Sequence, residues 1–194
     1  MPKLYIIAGC NGAGKTTASY TILPELFECR EFVNSDEFAK ALSPFNPSAA
    51  AVGATRLMLM KVHYLVNRKA DFSIETTLAT RTLLSFVKEA KDLGYSITLM
   101  YFWLNSPELA IQRVKDRVST GGHDIPDDIV RRRYYSGLKY LFETYIPIVD
   151  RWMLVDNSKS PFSIVAEGIG QIKFIKDNEK YALIWNQAHL NDKR

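Results

Sequence analysis

Short apolar runs of strand length alternate with longer helix-type stretches along most of this chain. Leu4-Tyr5-Ile6-Ile7-Ala8 is compact and apolar, stops at Gly9, and predicts a first strand. A helix-compatible stretch runs from Gly14 toward Leu23, where Pro24 is expected to end it, because proline has no amide to donate. Residues 32–36 predict a second strand that ends in the polar Asn34-Ser35-Asp36, and a helix begins with Asp36 and runs through Leu42. Asn46-Pro47 supplies a cap and first-turn pair for a long helix reaching about Arg68, with Leu57, Met60, Tyr64 and Leu65 on its apolar side. A third strand spans residues 72–76. A helix follows over 80–93, with Leu83, Leu84, Val87 and Ala90 facing inward and Gly94 as its stop.

The longest apolar run, residues 96–104, predicts a strand covered on both faces. Ser106-Pro107 caps a helix through Arg113 and Arg117. A loop at 121–126 then leads into a long helix from Pro126 past Arg131-Arg132-Arg133 to about Ile146. Residues 152–158 predict a fifth strand. Beyond Pro161 the pattern changes to two short strands, 162–166 and 172–175, around Gly168-Ile169-Gly170, followed by a helix from Asn178 to about Leu190. The fold class is therefore α/β: a doubly wound parallel sheet of five strands flanked by helices, with a C-terminal hairpin and helix at 162–190. The whole of 1–194 reads as one domain, with ligands expected at the carboxyl ends of the strands.

The first such end carries chemistry. Gly9-Cys10-Asn11-Gly12-Ala13-Gly14-Lys15-Thr16-Thr17 fits G-x-x-x-x-G-K-[ST], the phosphate-binding loop, between a strand and a helix as the motif requires. Gly9, Gly12 and Gly14 let the backbone come close to phosphate oxygens. The amides of Asn11, Ala13 and their neighbours then form an anion nest completed by the helix N-terminus. Lys15 adds a point charge at the β- and γ-phosphates, and the Thr16 hydroxyl suits a Mg²⁺ ligand. The implied cofactors are ATP and Mg²⁺.

Composition adds little. The chain has 194 residues, 47% hydrophobic and 24% charged, with net charge +4, which suits a soluble domain and would be compatible with polyphosphates or nucleic acid. Cys10 and Cys29 lack metal-ligand spacing, and Cys10 lies inside the phosphate loop, so a reducing cytoplasm is the expected location. No apolar run approaches a membrane span, and the N-terminal run is too short for a signal peptide. Tyr134, Tyr135, Tyr140 and Tyr145 fit core and surface positions better than a stacking platform, which argues against nucleic acid as partner.

The other strand ends bring acids. Asp36 follows strand two, Glu75 strand three, and Asp156-Asn157 strand five. Two carboxylates beside a Mg²⁺-triphosphate suit phosphoryl transfer to an acceptor hydroxyl. One takes the proton, while the other holds the acceptor or the metal's water shell. Asp36 also suits the N-cap of its helix. Arg113 and Arg117 share a helix face, and Arg131, Arg132 and Arg133 follow across Gly121-Gly122, which is expected to hinge a lid over about 117–132. His123 reads as a lid residue.

The ordered set of the phosphate loop, Asn34-Ser35-Asp36, Glu75-Thr76-Thr77-Leu78, Arg113-Val114, Arg117-Val118, Gly121-Gly122-His123-Asp124-Ile125-Pro126, Arg131-Arg132-Arg133-Tyr134 and Asp156-Asn157-Ser158 resembles the short zeta-toxin-like P-loop kinases over about residues 4–158. The resemblance implies Asp36 as general base, with Lys15 and Thr16 on ATP-Mg²⁺ and Thr17, Arg113 and Asn157 completing the nucleotide site. It implies that Glu75 and Thr77 hold the acceptor, and that lid arginines among Arg113, Arg117, Arg131 and Arg132 meet the phosphates, with Arg117 and Arg132 as catalytic residues. In the longer zeta toxins the acceptor is UDP-N-acetylglucosamine and an antitoxin neutralises the enzyme, so a nucleotide sugar and an antitoxin are the implied partners. These short relatives are often labelled ABC-type ATPases, but no Leu-Ser-Gly-Gly-Gln signature is present. The alternatives are a nucleoside, nucleotide or polynucleotide-end kinase, and a nucleotide-switched ATPase binding module.

Overall fold

The structure, a computed structural model, describes residues 1–119, 121, 122, 124–170 and 172–190. Strand β1 (Lys3–Gly9) leads into helix α1 (Lys15–Leu26), and β2 (Phe32–Val33) into α2 (Ser35–Leu42). A single 3-10 turn at Pro47–Ala50 opens α3 (Ala51–Asn67). Then come β3 (Phe72–Thr76), α4 (Thr82–Asp92), β4 (Ser96–Trp103), α5 (Pro107–Ser119) and α6 (Asp127–Tyr140), which runs into a π-helical turn at Leu141–Tyr145. The chain closes with β5 (Arg151–Asp156), β6 (Ser163–Ile169), β7 (Ile172–Ile175) and α7 (Asn178–Ala188).

One sheet has the order β2-β3-β1-β4-β5-β6-β7. The first five strands are parallel, as the strand–helix alternation predicts, and β6 and β7 continue the same sheet in antiparallel register. The C-terminal hairpin is thus an extension of the sheet. Its β6 docks on β5 and α7 packs on β6 and α6. Because β2, β3 and β1 are neighbours, the segments leaving their carboxyl ends converge. The register sets Ile7 beside Glu75 and Ala8 beside Thr76, so the phosphate loop leaves β1 level with the acid of β3.

Several boundaries differ from the sequence reading for local reasons. Helix α1 runs past Pro24 to Leu26, since Pro24 sits in its exposed last turn, where the missing amide costs little. Strand β2 stops at Val33, because Asn34 leaves the strand to cap α2. On α3 the buried face is Ala54, Val62 and Leu65, while Leu57, Met60 and Tyr64 face outward. Evenly apolar sequence around that helix hides its phase. Strand β4 is covered on both faces only from Leu99 onward. Ser96 and Thr98 instead line an open groove with Lys3 and Arg151 at the amino ends of the strands.

The end of β5 is tied to α7. The Asp156 carboxylate accepts from the Ser158 amide at 2.8 Å and from its hydroxyl, and pairs with Lys180 Nζ at 2.9 Å. Burial alone would raise the Asp156 pKa, but the bonds from Ser158 and Lys180 together outweigh it and hold the carboxyl below its ordinary value. A depressed carboxyl stabilises the fold above its unfolded pKa of about 3.9 and loses that contribution as pH falls through the folded value. Lys180→Met is therefore expected to lower stability at pH 7 by about 0.5–1 kcal/mol, the size of a partly exposed pair. In urea melts the difference from the parent should narrow by pH 3. An equal difference at both pH values would show that the pair is not the source.

Candidate active site

The phosphate loop is braced from both sides. Gly14 takes φ +81°, and a Cβ there would stand 2.5 Å from Asn157 Nδ2. That amide donates to the Ala13 carbonyl at 2.8 Å, so the residue after β5 clamps the loop from outside the nest. Arg113 donates to the Ser158 carbonyl at 3.1 Å. With Gly14, Thr17 and Asn157 it lines an open cavity of about 520 Å³ along α1. The sequence places Arg113, Thr17 and Asn157 at the nucleotide, and the structure gathers all three on this side of the loop.

The opposite side is organised by Glu75. Its Oε2 accepts from the Thr16 hydroxyl at 2.8 Å and from Asn34 Nδ2 at 3.0 Å, while Lys15 Nζ lies 3.8 Å from Oε1. Lys15 is buried and also donates to the Cys10 carbonyl at 2.9 Å, which holds its charge within its own loop. Burial raises the Glu75 pKa above the ordinary carboxylate value, against the Lys15 charge and the Thr16 hydrogen bond, which both lower it. Cys10, buried in the same loop, is pushed up to about 11 and stays a thiol at neutral pH.

Asn34 does two things at once. While its Nδ2 reaches Glu75, its Oδ1 accepts from the Asp36 amide at 2.8 Å and caps α2. The cap expected of Asp36 therefore belongs to Asn34, whose neutral amide serves helix and carboxylate together. Asp36 sits exposed in the first turn of α2 and lines two adjoining cavities. One, of about 290 Å³, also receives Lys15, Glu75 and Thr77, with Met58, Val62, Leu83 and Phe86 as an apolar wall. The other, of about 220 Å³, is bordered by Thr16, Asn34, Lys40, Arg117 and Gly122. After Thr77 the chain passes through Leu78 at φ +53°, a left-handed conformation held by full burial of that side chain.

The arginines separate by helix phase. Arg117, expected as a catalytic lid residue, borders the cavity beside Thr16 and Asp36. A Cβ on Gly122 would lie 2.4 Å from Arg117 Cγ, so glycine there lets the loop close over that side chain. Arg131 is exposed and paired with Glu108 on α5. Arg132 is also exposed and lines a separate cavity with Asp128, Ser136 and Gln187, away from the position expected of a catalytic lid residue. The inward residue is Arg133, which donates to Asn11 Oδ1 at 3.2 Å and lines the cavity of Asp36. The buried positions Val130, Tyr134, Gly137 and Leu138 set the phase of α6 and put Arg133, one turn before Gly137, at the edge of that face. That spacing is the signal that separates Arg133 from its neighbours. His123, read as a lid residue, lies outside the described residues.

Comparisons with known proteins bear on the family and the fold. The zeta toxin family profile matches residues 1–145. An uncharacterised protein of Haemophilus influenzae is 32% identical over 132 residues, 68% of this chain and 92% of that protein. Among solved structures, a chain of the AvrRxo1-ORF1:AvrRxo1-ORF2 complex with sulphate ions superposes with TM-score 0.76 at 19% identity, over 95% of this chain and 63% of that one. The PezAT toxin–antitoxin system of Streptococcus pneumoniae gives TM-score 0.64 at 15% identity, over 98% of this chain and 87% of its counterpart. This chain thus spans less than two thirds of the AvrRxo1 chain it matches. The extent of the profile match decides the family: the chain belongs to the zeta toxin family, and it shares the α/β fold of these solved structures.

Proposed function

We propose that the protein transfers the γ-phosphate of ATP to the hydroxyl of a small molecule, with Asp36 as general base. The observation that carries this reading is that Asp36 lines the same cavity as Lys15 and Glu75, where an acceptor would lie, and borders the adjoining one with Thr16. The acceptor hydroxyl oxygen forms the new bond to the γ-phosphorus, and the bond from that phosphorus to the β,γ-bridging oxygen breaks. ADP leaves with the electron pair, and the hydroxyl proton passes to the Asp36 carboxylate. Lys15, turned onto Cys10 and Glu75 in this structure, swings to the phosphates when they enter the nest. Arg117 and Arg133 approach the transferring group from the two cavities, where the charge that develops during transfer is spread over the equatorial oxygens.

The Thr16 hydroxyl and the Glu75 carboxylate, in contact at 2.8 Å, are the hard oxygen donors that Mg²⁺ takes. These two residues would hold the ion, directly or through its water shell, and the ion would neutralise phosphate charge. Supporting the nucleotide assignment, the AvrRxo1-ORF1:-ORF2 complex is also known with ATP, at TM-score 0.74 to this chain. UDP-N-acetylglucosamine, implied by the resemblance, is the reference acceptor. AvrRxo1-ORF1 is solved together with ORF2, and PezAT is a toxin–antitoxin system. An antitoxin partner and a cytoplasmic location belong to the same proposal. Residues 117–132 are the proposed lid. No helix among the described residues is long and apolar enough to cross a membrane.

Lys15→Ala is expected to weaken ATP binding and abolish transfer while the thermal midpoint stays near that of the parent, since the lysine serves the nest and not the apolar core. Asp36→Asn preserves size and, with Asn34 as the cap, leaves α2 intact. Transfer to an acceptor should fall about 10²–10⁴-fold with ATP affinity unchanged. Acceptor labelling from γ-labelled ATP at the parent rate would remove Asp36 as the base. A parallel comparison separates the arginines: Arg133→Ala should lower kcat about 10³-fold or more with little change in KM for ATP, and Arg132→Ala should stay within about twofold of the parent. The reverse ranking would return the catalytic role to Arg132.

A further inference from the structure

The kinase reading leaves the acceptor open, and the cavity in front of Asp36 narrows it. At about 290 Å³ it lies at the small end of the ~300–1,000 Å³ range of small-molecule sites. Its far wall is apolar, built by Met58 and Val62 of α3, Ile74 of β3, and Leu83 and Phe86 of α4. Thr77, Thr80 and Thr82 supply hydroxyls near that wall, and the Thr80 hydroxyl donates to that of Thr82 at 3.1 Å.

The charges sit at one end. Among the described residues the cations lining this cavity are Lys15 and Arg133, and both face the phosphate loop, Lys15 through Cys10 and Glu75 and Arg133 through Asn11. The γ-phosphate claims both during transfer. The remaining charged groups are the carboxylates of Asp36 and Glu75. A phosphate or pyrophosphate on the acceptor would be desolvated against an apolar wall and repelled by Asp36, and among the described residues lining the cavity no further cationic side chain is left to meet it. A neutral ring instead lays its apolar face on Leu83 and Phe86 and hydrogen-bonds the threonines.

We propose that the acceptor is an uncharged polyhydroxy compound of nucleoside size or smaller, which lies against Leu83 and Phe86 and presents one hydroxyl to Asp36. This rests on the kinase reading and departs from the nucleotide sugar of the reference reaction. The adjoining cavity holds Arg117 and Lys40, and Lys40 is already paired with Glu37 at 2.9 Å. A charged acceptor would have to run that way.

Matched pairs decide between the two routes. The full chain is incubated with γ-labelled ATP and, separately, uridine and UMP, adenosine and AMP, glucose and glucose 6-phosphate, and UDP-N-acetylglucosamine. The expected result is labelling of at least one uncharged compound, with kcat/KM at least about 10-fold above its phosphorylated partner and above the nucleotide sugar. Preferred labelling of UDP-N-acetylglucosamine or of the phosphorylated members overturns this inference and leaves the kinase reading standing. Release of inorganic phosphate with no compound labelled overturns both. Thr80→Lys adds a cation at the exposed rim of the same cavity, and is expected to shift the preference within a pair toward the phosphorylated member by about 10-fold. An unchanged preference would mean that the acceptor does not occupy this cavity.

Discussion

Through one largely buried carboxylate, Glu75 meets the Thr16 hydroxyl, the Asn34 amide and the Lys15 ammonium. Those contacts join the ends of β1, β2 and β3, and they fix the phosphate loop, the start of α2 and the cavity in front of Asp36 relative to one another. A buried acid is costly unless its oxygens are paired, and here Thr16, Asn34 and Lys15 surround it. Asn34 transmits the arrangement onward, because the same side chain that reaches Glu75 caps α2 and so sets the position of Asp36. Moving Glu75 would disturb the phosphate loop, the cap of α2 and the position of Asp36 together.

The sheet order makes the junction possible. With β3 between β2 and β1, the acid of the central strand stands next to both neighbours' loops, and parallel register keeps them level. Helix α6 closes the far side. Its Gly137 is so close to the Thr77 carbonyl that a Cβ would sit 2.7 Å from that oxygen, and the close packing brings Arg133 to Asn11. Leu78, strained at φ +53° and buried, turns the chain directly after Thr77.

Much of this was legible in the sequence because the motif residues act through local geometry. The phosphate loop encodes its own backbone shape, and the acids at strand ends follow once the strands are found. What stayed hidden depends on phase and on distant contacts. Arg131, Arg132 and Arg133 are chemically alike, and only the burial of Val130, Tyr134 and Gly137 tells which one turns inward. The even distribution of apolar residues on α3 concealed that Leu57 and Met60 face solvent while Met58 and Val62 wall the cavity. Asn34 reads as a strand residue until β3 supplies its partner. The hairpin at 163–175 is recognisable locally, but its pairing with β5 is a long-range choice that no short window contains.

The central claim is that Glu75 builds the ATP-Mg²⁺ half of the site from the loop and the neighbouring strand. Calorimetric titration of ATP into the parent and into Glu75→Gln, each with and without Mg²⁺, tests it directly. Glutamine keeps the size of the side chain and can still accept from Thr16, so the fold should hold, with the thermal midpoint measured alongside. The account predicts that Mg²⁺ tightens ATP binding by the parent about 10-fold or more and that this enhancement disappears in Glu75→Gln, because the anionic oxygen donor beside Thr16 is gone. A folded Glu75→Gln variant that keeps the full Mg²⁺ enhancement would contradict it.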